Sequence, residues 1–245
     1  MIDLHCHFLP GVDDGPETLP EALDLARAAV ADGITHSVLT SHIHPGRYPN
    51  QRRNLQVAVE QFSQHLKDAD ISLDVRMGGE ARLCPELIDL VAEGEVPFLG
   101  EVGGFRILLL EFPHQLIPLG SAKFVSRLMQ LKIRPLIAHP ERNKAIMSDH
   151  RKLHEFVQAG CWLQLTAGSL VGRFGEQAEQ TAFRIIDEGW NCLVSTDAHN
   201  LSSRPPKLGE ARAVLSQRFG EAIAQGMVYG KAARILGLAT PSPAH

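Results

Sequence analysis

One unit recurs along this chain and constrains it more than any other feature. An amphipathic helical stretch closes near a glycine, an apolar strand follows, and the strand finishes on a residue able to bind a metal ion. The pattern runs through residues 34–40, 131–139, 159–166 and 189–197. With 2–5, 73–77 and 106–111 it gives about seven strands separated by helices. The first helix begins at Thr18 as N-cap, with Glu21 three residues on in a capping-box arrangement. Leu19, Leu23, Ala26 and Val30 fall on one face at helical spacing, and Gly33 ends it. Alternating strands and helices require parallel strands joined by right-handed crossovers. The predicted fold is therefore α/β: a closed barrel of about seven strands, irregular beside the eight-stranded standard. A doubly wound open sheet is the alternative, and no Gly-x-Gly-x-x-Gly or P-loop supports a nucleotide-binding version of it.

The 245 residues suit one domain of barrel size, placed at 1–239, with a Pro-rich tail at 240–245 expected to fray. Net charge is −4 with no block of Lys or Arg, so no nucleic-acid partner is expected. The start, MIDLHCH, carries no secretory signal, and apolar runs such as 107–110 are too short for membrane insertion, so a cytoplasmic location is expected. Cys6, Cys84, Cys161 and Cys192 form no C-x-x-C pair and read as reduced thiols. The sixth residue after each is Val12, Leu90, Ala167 and Ala198, never Arg. A thiol-phosphate mechanism built on C-x5-R is excluded.

The chemistry concentrates at strand ends. His5 and His7, two apart, share a face of the first strand while Cys6 points away. Asp197 and His199 repeat that geometry at the last strand. Between them come His42, Glu80, Glu111 and His139, and Asp13 and Asp14 stand in the Gly-rich loop after the first strand. A single histidine at a strand end is ordinarily a hydrogen-bonded core residue. Six strand ends that all finish on ligand-type residues argue for one rim where they converge. His36, His65, His114, His150 and His154 read as structural or exposed, and His44 as a neighbour of the site or a surface residue.

The string His5-Cys-His7, Asp13-Asp14-Gly15, Thr40-Ser41-His42, Gly79-Glu80, Leu110-Glu111-Phe112, Ala138-His139-x-Glu141-Arg142, Asp197-x-His199-Asn200 and Arg204-Pro205-Pro206 resembles the bacterial PHP-type protein tyrosine phosphatases. These belong to the polymerase and histidinol phosphatase superfamily. They are manganese-dependent enzymes of capsule and exopolysaccharide clusters that act on the phosphotyrosine tail of a bacterial tyrosine kinase. The resemblance covers roughly residues 1–237; His44-Pro45 and the absence of Asn-Pro near 230–237 depart from the usual pattern.

The resemblance implies a PHP fold with its metal site at the C-terminal ends of the strands. It implies one ion on His5, His7, Glu80 and Asp197, a second on Glu80, Glu111 and His139, and a third on Asp14, His42 and His199. Two or three ions are expected. A homo-oligomer is compatible with it. Four carboxylates among nine ligands are hard donors that suit Mn²⁺, with Fe²⁺ or Zn²⁺ as alternatives. Arg142 and Arg204 match the phosphate-holding positions, and their forked donors suit bidentate contact. Asp197 or a water held by an ion could supply a proton to the leaving group. The alternatives are a small-molecule phosphatase of the same superfamily, such as one acting on histidinol phosphate, and a non-catalytic metal-binding interaction domain. Asp14 and Glu111 where histidines would stand argue against the first, and a complete ligand set argues against the second.

Overall fold

The computed structural model describes residues 1–239, so the expected frayed tail lies outside the described residues. Among the described residues there are eleven strands and ten α-helices, with the helices mostly set between single strands or short strand groups. The strands are β1 (Ile2–Cys6), β2 (His36–Leu39), β3 (His42–His44), β4 (Tyr48–Pro49), β5 (Asp74–Met77), β6 (Glu80–Arg82), β7 (Gly100–Val102), β8 (Phe105–Glu111), β9 (Ile133–Ala138), β10 (Trp162–Thr166) and β11 (Cys192–Ser195). The helices are α1 (Leu19–Ala31), α2 (Arg52–Asp68), α3 (Leu87–Ala92), α4 (Ser121–Gln130), α5 (Lys144–Ser148), α6 (His154–Gln158), α7 (Glu176–Asp187), α8 (Gly209–Phe219), α9 (Glu221–Gln225) and α10 (Lys231–Leu236).

Two ladders carry the strands. One has the order β1-β2-β5; the other runs β11-β10-β9-β8-β6-β3-β4, with β7 paired to β8. All pairings are parallel except β3 with β4 and β7 with β8. Chain continuity joins the ladders on one side. β2 runs into β3 across Thr40–Ser41, and β5 into β6 across Gly78–Gly79. On the other side β1 meets the end of β11. A bridge links Cys6 to Ala198, and the Asp197 and His7 amides donate to the His5 and Ala198 carbonyls at 2.7 and 2.9 Å. Counted through these joints, the expected seven parallel strands are present. They form an irregular α/β circuit rather than one uninterrupted ladder.

Alternation along the strands sorts their side chains into two apolar layers. Leu108, Leu110, Ile137, Leu163 and Leu165 pack with helical residues such as Val125, Leu128 and Phe156. Ile2, Leu4, Ile107, Leu109 and Leu136 instead form a second cluster with Ala232, Ala233 and Ile235 of α10. The β1–β2 register shifts between Asp3 and Cys6. Leu4 therefore belongs to the inner cluster and Cys6 to the outer one, leaving His5 as the extra residue that the irregularity re-aims.

The capping box at Thr18 is present, with the Glu21 carboxylate accepting the Thr18 amide at 3.0 Å. The buried face of α1 differs from the expected one: Ala22, Leu25, Ala26 and Ala29 are buried, while Leu19, Leu23 and Val30 only flank it. Small side chains let the helix approach the strands closely, and the larger ones seal the margin. All four cysteines are free, and burial pushes the Cys161 and Cys192 thiols up to about 12 and about 11. Among the described residues no helix is long and apolar enough to cross a membrane.

Candidate metal centre

Six of the seven strands of the circuit deliver a ligand-type residue near the same end. His5 lies in β1 and His7 just beyond it; His42 opens β3, Glu80 opens β6, and Glu111 closes β8. His139 follows β9, Asp197 and His199 follow β11, and Asp14 comes from the loop between β1 and α1. Only four non-glycine residues among those described have positive φ: Asp70, Lys132, His139 at 32° and Asp197 at 53°. Two of the four belong to this cluster. Such backbone costs on the order of 1–3 kcal/mol per residue and persists only where the surroundings over-determine it.

The side chains converge into three overlapping groups whose nitrogen and oxygen atoms lie within 4.8 Å of one another: His5, His7, Glu80 and Asp197; His7, Asp14, His42 and His199; and His42, Glu80 and Glu111. His139 joins through Nε2, 2.8 Å from Glu80 Oε1. All nine sequence-predicted ligands are thus brought together, with Glu80 common to two groups. The grouping differs in detail from the expected one, because His7 also reaches the Asp14 group and His42 the Glu111 group.

Orientation of the imidazoles is set from behind, by groups outside the expected ligand set and by a backbone carbonyl. His5 Nδ1 is 2.7 Å from the Gln164 side-chain carbonyl, His7 Nδ1 is 2.8 Å from Asp13 Oδ2, and His199 Nδ1 is 2.9 Å from the Asp197 backbone oxygen. In the neutral imidazole, donation from Nδ1 leaves Nε2 as the free electron pair, aimed inward, as metal-binding histidines require. The Nε2 atoms of His5 and His7 stand only 3.2 Å apart. Glu80 Oε2, Asp197 Oδ1 and His199 Nε2 are buried without a hydrogen-bond partner although each lies near charged neighbours. Buried polar atoms that converge yet do not pair are the arrangement a cation completes. The donor set therefore fits divalent ions.

The electrostatics agree. Burial opposes charge on His5, but the Glu80 and Asp197 carboxylates outweigh it and push the imidazole up to about 9. His42 rises to about 11, burial again being overcome by Glu80 and Asp14. Burial likewise resists ionisation of Glu80 and Asp197, yet His5 with His42 holds the first, and His5 with Arg204 and Arg142 the second, well below the usual carboxylate range. Burial and the neighbouring His7 pull His199 down to about 4, which keeps it neutral. A field that draws protons this strongly draws divalent cations too.

A cavity of about 150 Å³ opens over the cluster, lined in part by His42, Glu80, Glu111, His139, Arg142 and Arg204. Arg142 lies 4.2 Å above the Phe174 ring, and both Arg142 and Arg204 pair with Asp197 Oδ2, Arg204 at 2.8 Å. Arg82 holds Glu111 at 2.9 Å. His44 lines the same mouth, and so does His114, in place of the structural or exposed role expected for it.

Gly15 fixes the loop that carries both aspartates. A Cβ there would sit 2.4 Å from the His7 carbonyl oxygen. The Gly15 amide donates to Asp13 Oδ1 at 3.1 Å, and Asp13 Oδ2 also accepts the His42 amide at 3.0 Å. Gly15→Ala must therefore displace Asp13 from His7. The expected result is a divalent-ion affinity weakened roughly ten- to a hundredfold with the circular dichroism of the fold retained. Unchanged affinity by calorimetric titration would show that the loop does not orient the cluster.

The family model for capsular polysaccharide synthesis, CpsB/CapC, matches residues 1–237. The tyrosine-protein phosphatase YwqE of Bacillus subtilis is 34% identical over 220 residues, 90% of this chain and 85% of that protein. CpsB of Streptococcus agalactiae is 26% identical over 245 residues, 96% of this chain and 98% of the relative. A crystal structure from work on YwqE of Bacillus subtilis and CpsB of Streptococcus pneumoniae, described as unique metal-dependent tyrosine phosphatases, superposes with a TM-score of 0.90 at 32% identity, covering 100% of both chains. Organophosphorus hydrolase from Deinococcus radiodurans shares the fold alone, with a TM-score of 0.58 at 16% identity over 96% of this chain and 91% of that one. The chain belongs to the CpsB/CapC family of capsular polysaccharide synthesis.

Proposed function

We propose that this chain is a metal-dependent tyrosine-protein phosphatase, a phosphoric monoester hydrolase formed by one catalytic domain over residues 1–239. The observation that carries the proposal is the set of unpartnered buried ligand atoms on Glu80, Asp197 and His199, with two arginines anchored beside them. His5, His7, Glu80 and Asp197 would hold one divalent ion, Glu80, Glu111 and His139 a second, and Asp14, His42 and His199 a third. Mn²⁺ is the ion these hard donors favour, ahead of Fe²⁺ and Zn²⁺. Bound ions of this kind supply Lewis acidity toward phosphoryl oxygens and lower the pKa of attacking water.

The chain's own residues do the rest. Arg142 and Arg204 stand where a phosphate dianion would meet the cluster, and Arg204 Nε is buried with no partner, a donor left for a phosphoryl oxygen. Forked guanidinium donors can follow the charge that spreads over those oxygens as the ester bond breaks. Asp197 spends one carboxylate oxygen on the arginines and turns the other toward His5, 3.2 Å away. Held ionised, it is a ligand and an arginine anchor rather than a proton donor. A phenol of pKa near 10 departs without a strong acid, which favours an aryl phosphate over an alkyl one.

Tyrosine as the natural carrier of the phosphate rests on the named activity of the relatives. The partner we assign is the phosphotyrosine tail of a bacterial tyrosine kinase governing capsule or exopolysaccharide synthesis, met in the cytoplasm. The test is kcat/KM for a phosphotyrosine peptide, a phosphoserine peptide and histidinol phosphate at one Mn²⁺ concentration. Phosphotyrosine is expected to lead. If histidinol phosphate wins, the small-molecule reading replaces this one and the metal chemistry stands.

A further inference from the structure

The hairpin β3–β4 carries a cation that nothing in the proposed chemistry uses. Tyr48 stacks on His42 with ring centroids 5.3 Å apart and planes inclined by 9°, and the Arg47 guanidinium lies 4.9 Å from the Tyr48 ring. Both line the mouth of the metal cavity. The other arginines of that mouth are committed: Arg82 to Glu111, and Arg142 and Arg204 to Asp197. Arg47 is exposed and, among the described residues, has no carboxylate within salt-bridge distance. It is held by an aromatic face rather than by an opposite charge, which keeps its donors free while limiting where they can go.

A second cavity, of about 400 Å³, starts at the same Asp14 and has the opposite sign. Its walls include Glu17, Glu21 and Asp24. Glu21 is occupied by the Glu17 and Thr18 amides and Asp24 by Arg27, whereas Glu17 has no cationic partner among the described residues. The way into the metal cluster therefore has a cationic margin at Arg47 and an anionic groove that begins at Asp14.

We infer that this asymmetric mouth reads the charge of the peptide around the phosphorylated residue. Arg47 takes an acidic side chain on one flank, and the groove at Glu17 rejects an acidic side chain on the other. This rests on the phosphotyrosine reading above and names the class of peptide that reading leaves open: acidic on one side of the phosphotyrosine only. Placing the selection in exposed charges outside the cluster leaves the reacting centre the same for every peptide, so the preference appears mainly in KM.

The experiment uses the Mn²⁺-loaded protein with phosphotyrosine peptides of equal length bearing Glu on the N-terminal flank, Glu on the C-terminal flank, Lys on either flank, or neutral residues. Phenyl phosphate serves as a substrate without flanks. One Glu peptide is expected to exceed the neutral one by roughly 1.5- to fivefold in kcat/KM, the range of an exposed charge pair, and the other to fall below it. Arg47→Ala should flatten the first preference while leaving phenyl phosphate turnover and bound manganese as in wild type. Arg47→Glu should turn that preference toward Lys, and Glu17→Lys should lift the penalty on the second peptide. Equal rates on all flanks in wild type would overturn this inference and leave the phosphatase reading intact. So would an equal loss on phenyl phosphate in Arg47→Ala, which would put Arg47 on the phosphate itself. Failure to hydrolyse any phosphotyrosine peptide while histidinol phosphate is consumed would overturn both.

Discussion

Glu80→Gln is expected to lower kcat/KM for an aryl phosphate by about a thousandfold or more, roughly 4 kcal/mol of lost stabilisation. No other carboxylate in the cluster lies against so many histidines. Its Oε2 lies 3.3 Å from His5 Nε2, 3.4 Å from His7 Nε2 and 3.0 Å from His42 Nδ1, and its Oε1 lies 2.8 Å from His139 Nε2. The amide keeps the volume and removes the charge, so what is lost is the anion common to two of the ligand groups rather than packing. Elemental analysis of the same preparation should show fewer ions per chain. Glu101→Gln, on an exposed position of β7, is the matched control and should behave as wild type. Wild-type rates and wild-type metal content in Glu80→Gln would remove the bridging role altogether.

Chelation should be as damaging and, unlike the mutation, reversible. Dialysis against EDTA is expected to abolish phosphatase activity, with Mn²⁺ restoring it best among divalent ions. Stability should move as well. A ligand at a hundredfold excess over its Kd adds about 2.7 kcal/mol per site, which for a chain of this size is roughly 5–10 °C in Tm. The four carboxylates Asp14, Glu80, Glu111 and Asp197 lie within one cluster, and bound cations relieve their mutual repulsion. Full activity in dialysed protein that holds no metal by elemental analysis would sink the mechanism.

The sequence made the strand ends legible because backbone geometry is local. His5 and His7 share a face by the period of a strand, and Glu111, His139 and Asp197 each follow a short apolar run bounded by turn residues. The partners behind the ligands follow from tertiary proximity instead. Gln164 lies 159 residues from His5, and no spacing rule connects them. A hint existed: Gln164 is a lone amide between Leu163 and Leu165 in a strand with no room for an exposed face, and such a residue needs a buried partner. The Asp13-Asp14 pair posed a different difficulty. Two identical carboxylates in a glycine-rich loop look alike in sequence, yet one faces the other ligand atoms and the other holds His7 from behind. His114 escaped notice because the loop after β8 folds over the mouth, which periodicity does not encode. The short strands β4 and β7 were missed for the same reason, since two or three residues carry no period.

The seam where β1 meets β11 has a consequence for synthesis. The cluster takes side chains from residue 5 to residue 199, and Asp197 and His199 complete two of its three groups. A ribosome that has made most of the protein has therefore still not supplied every ligand of those two groups. The earlier histidines and carboxylates wait, fully translated, for the final strand to emerge and close against the first. Completion of those two groups is thus tied to synthesis of β11 and the residues just after it, and a product truncated before β11 would lack a ligand in each of them.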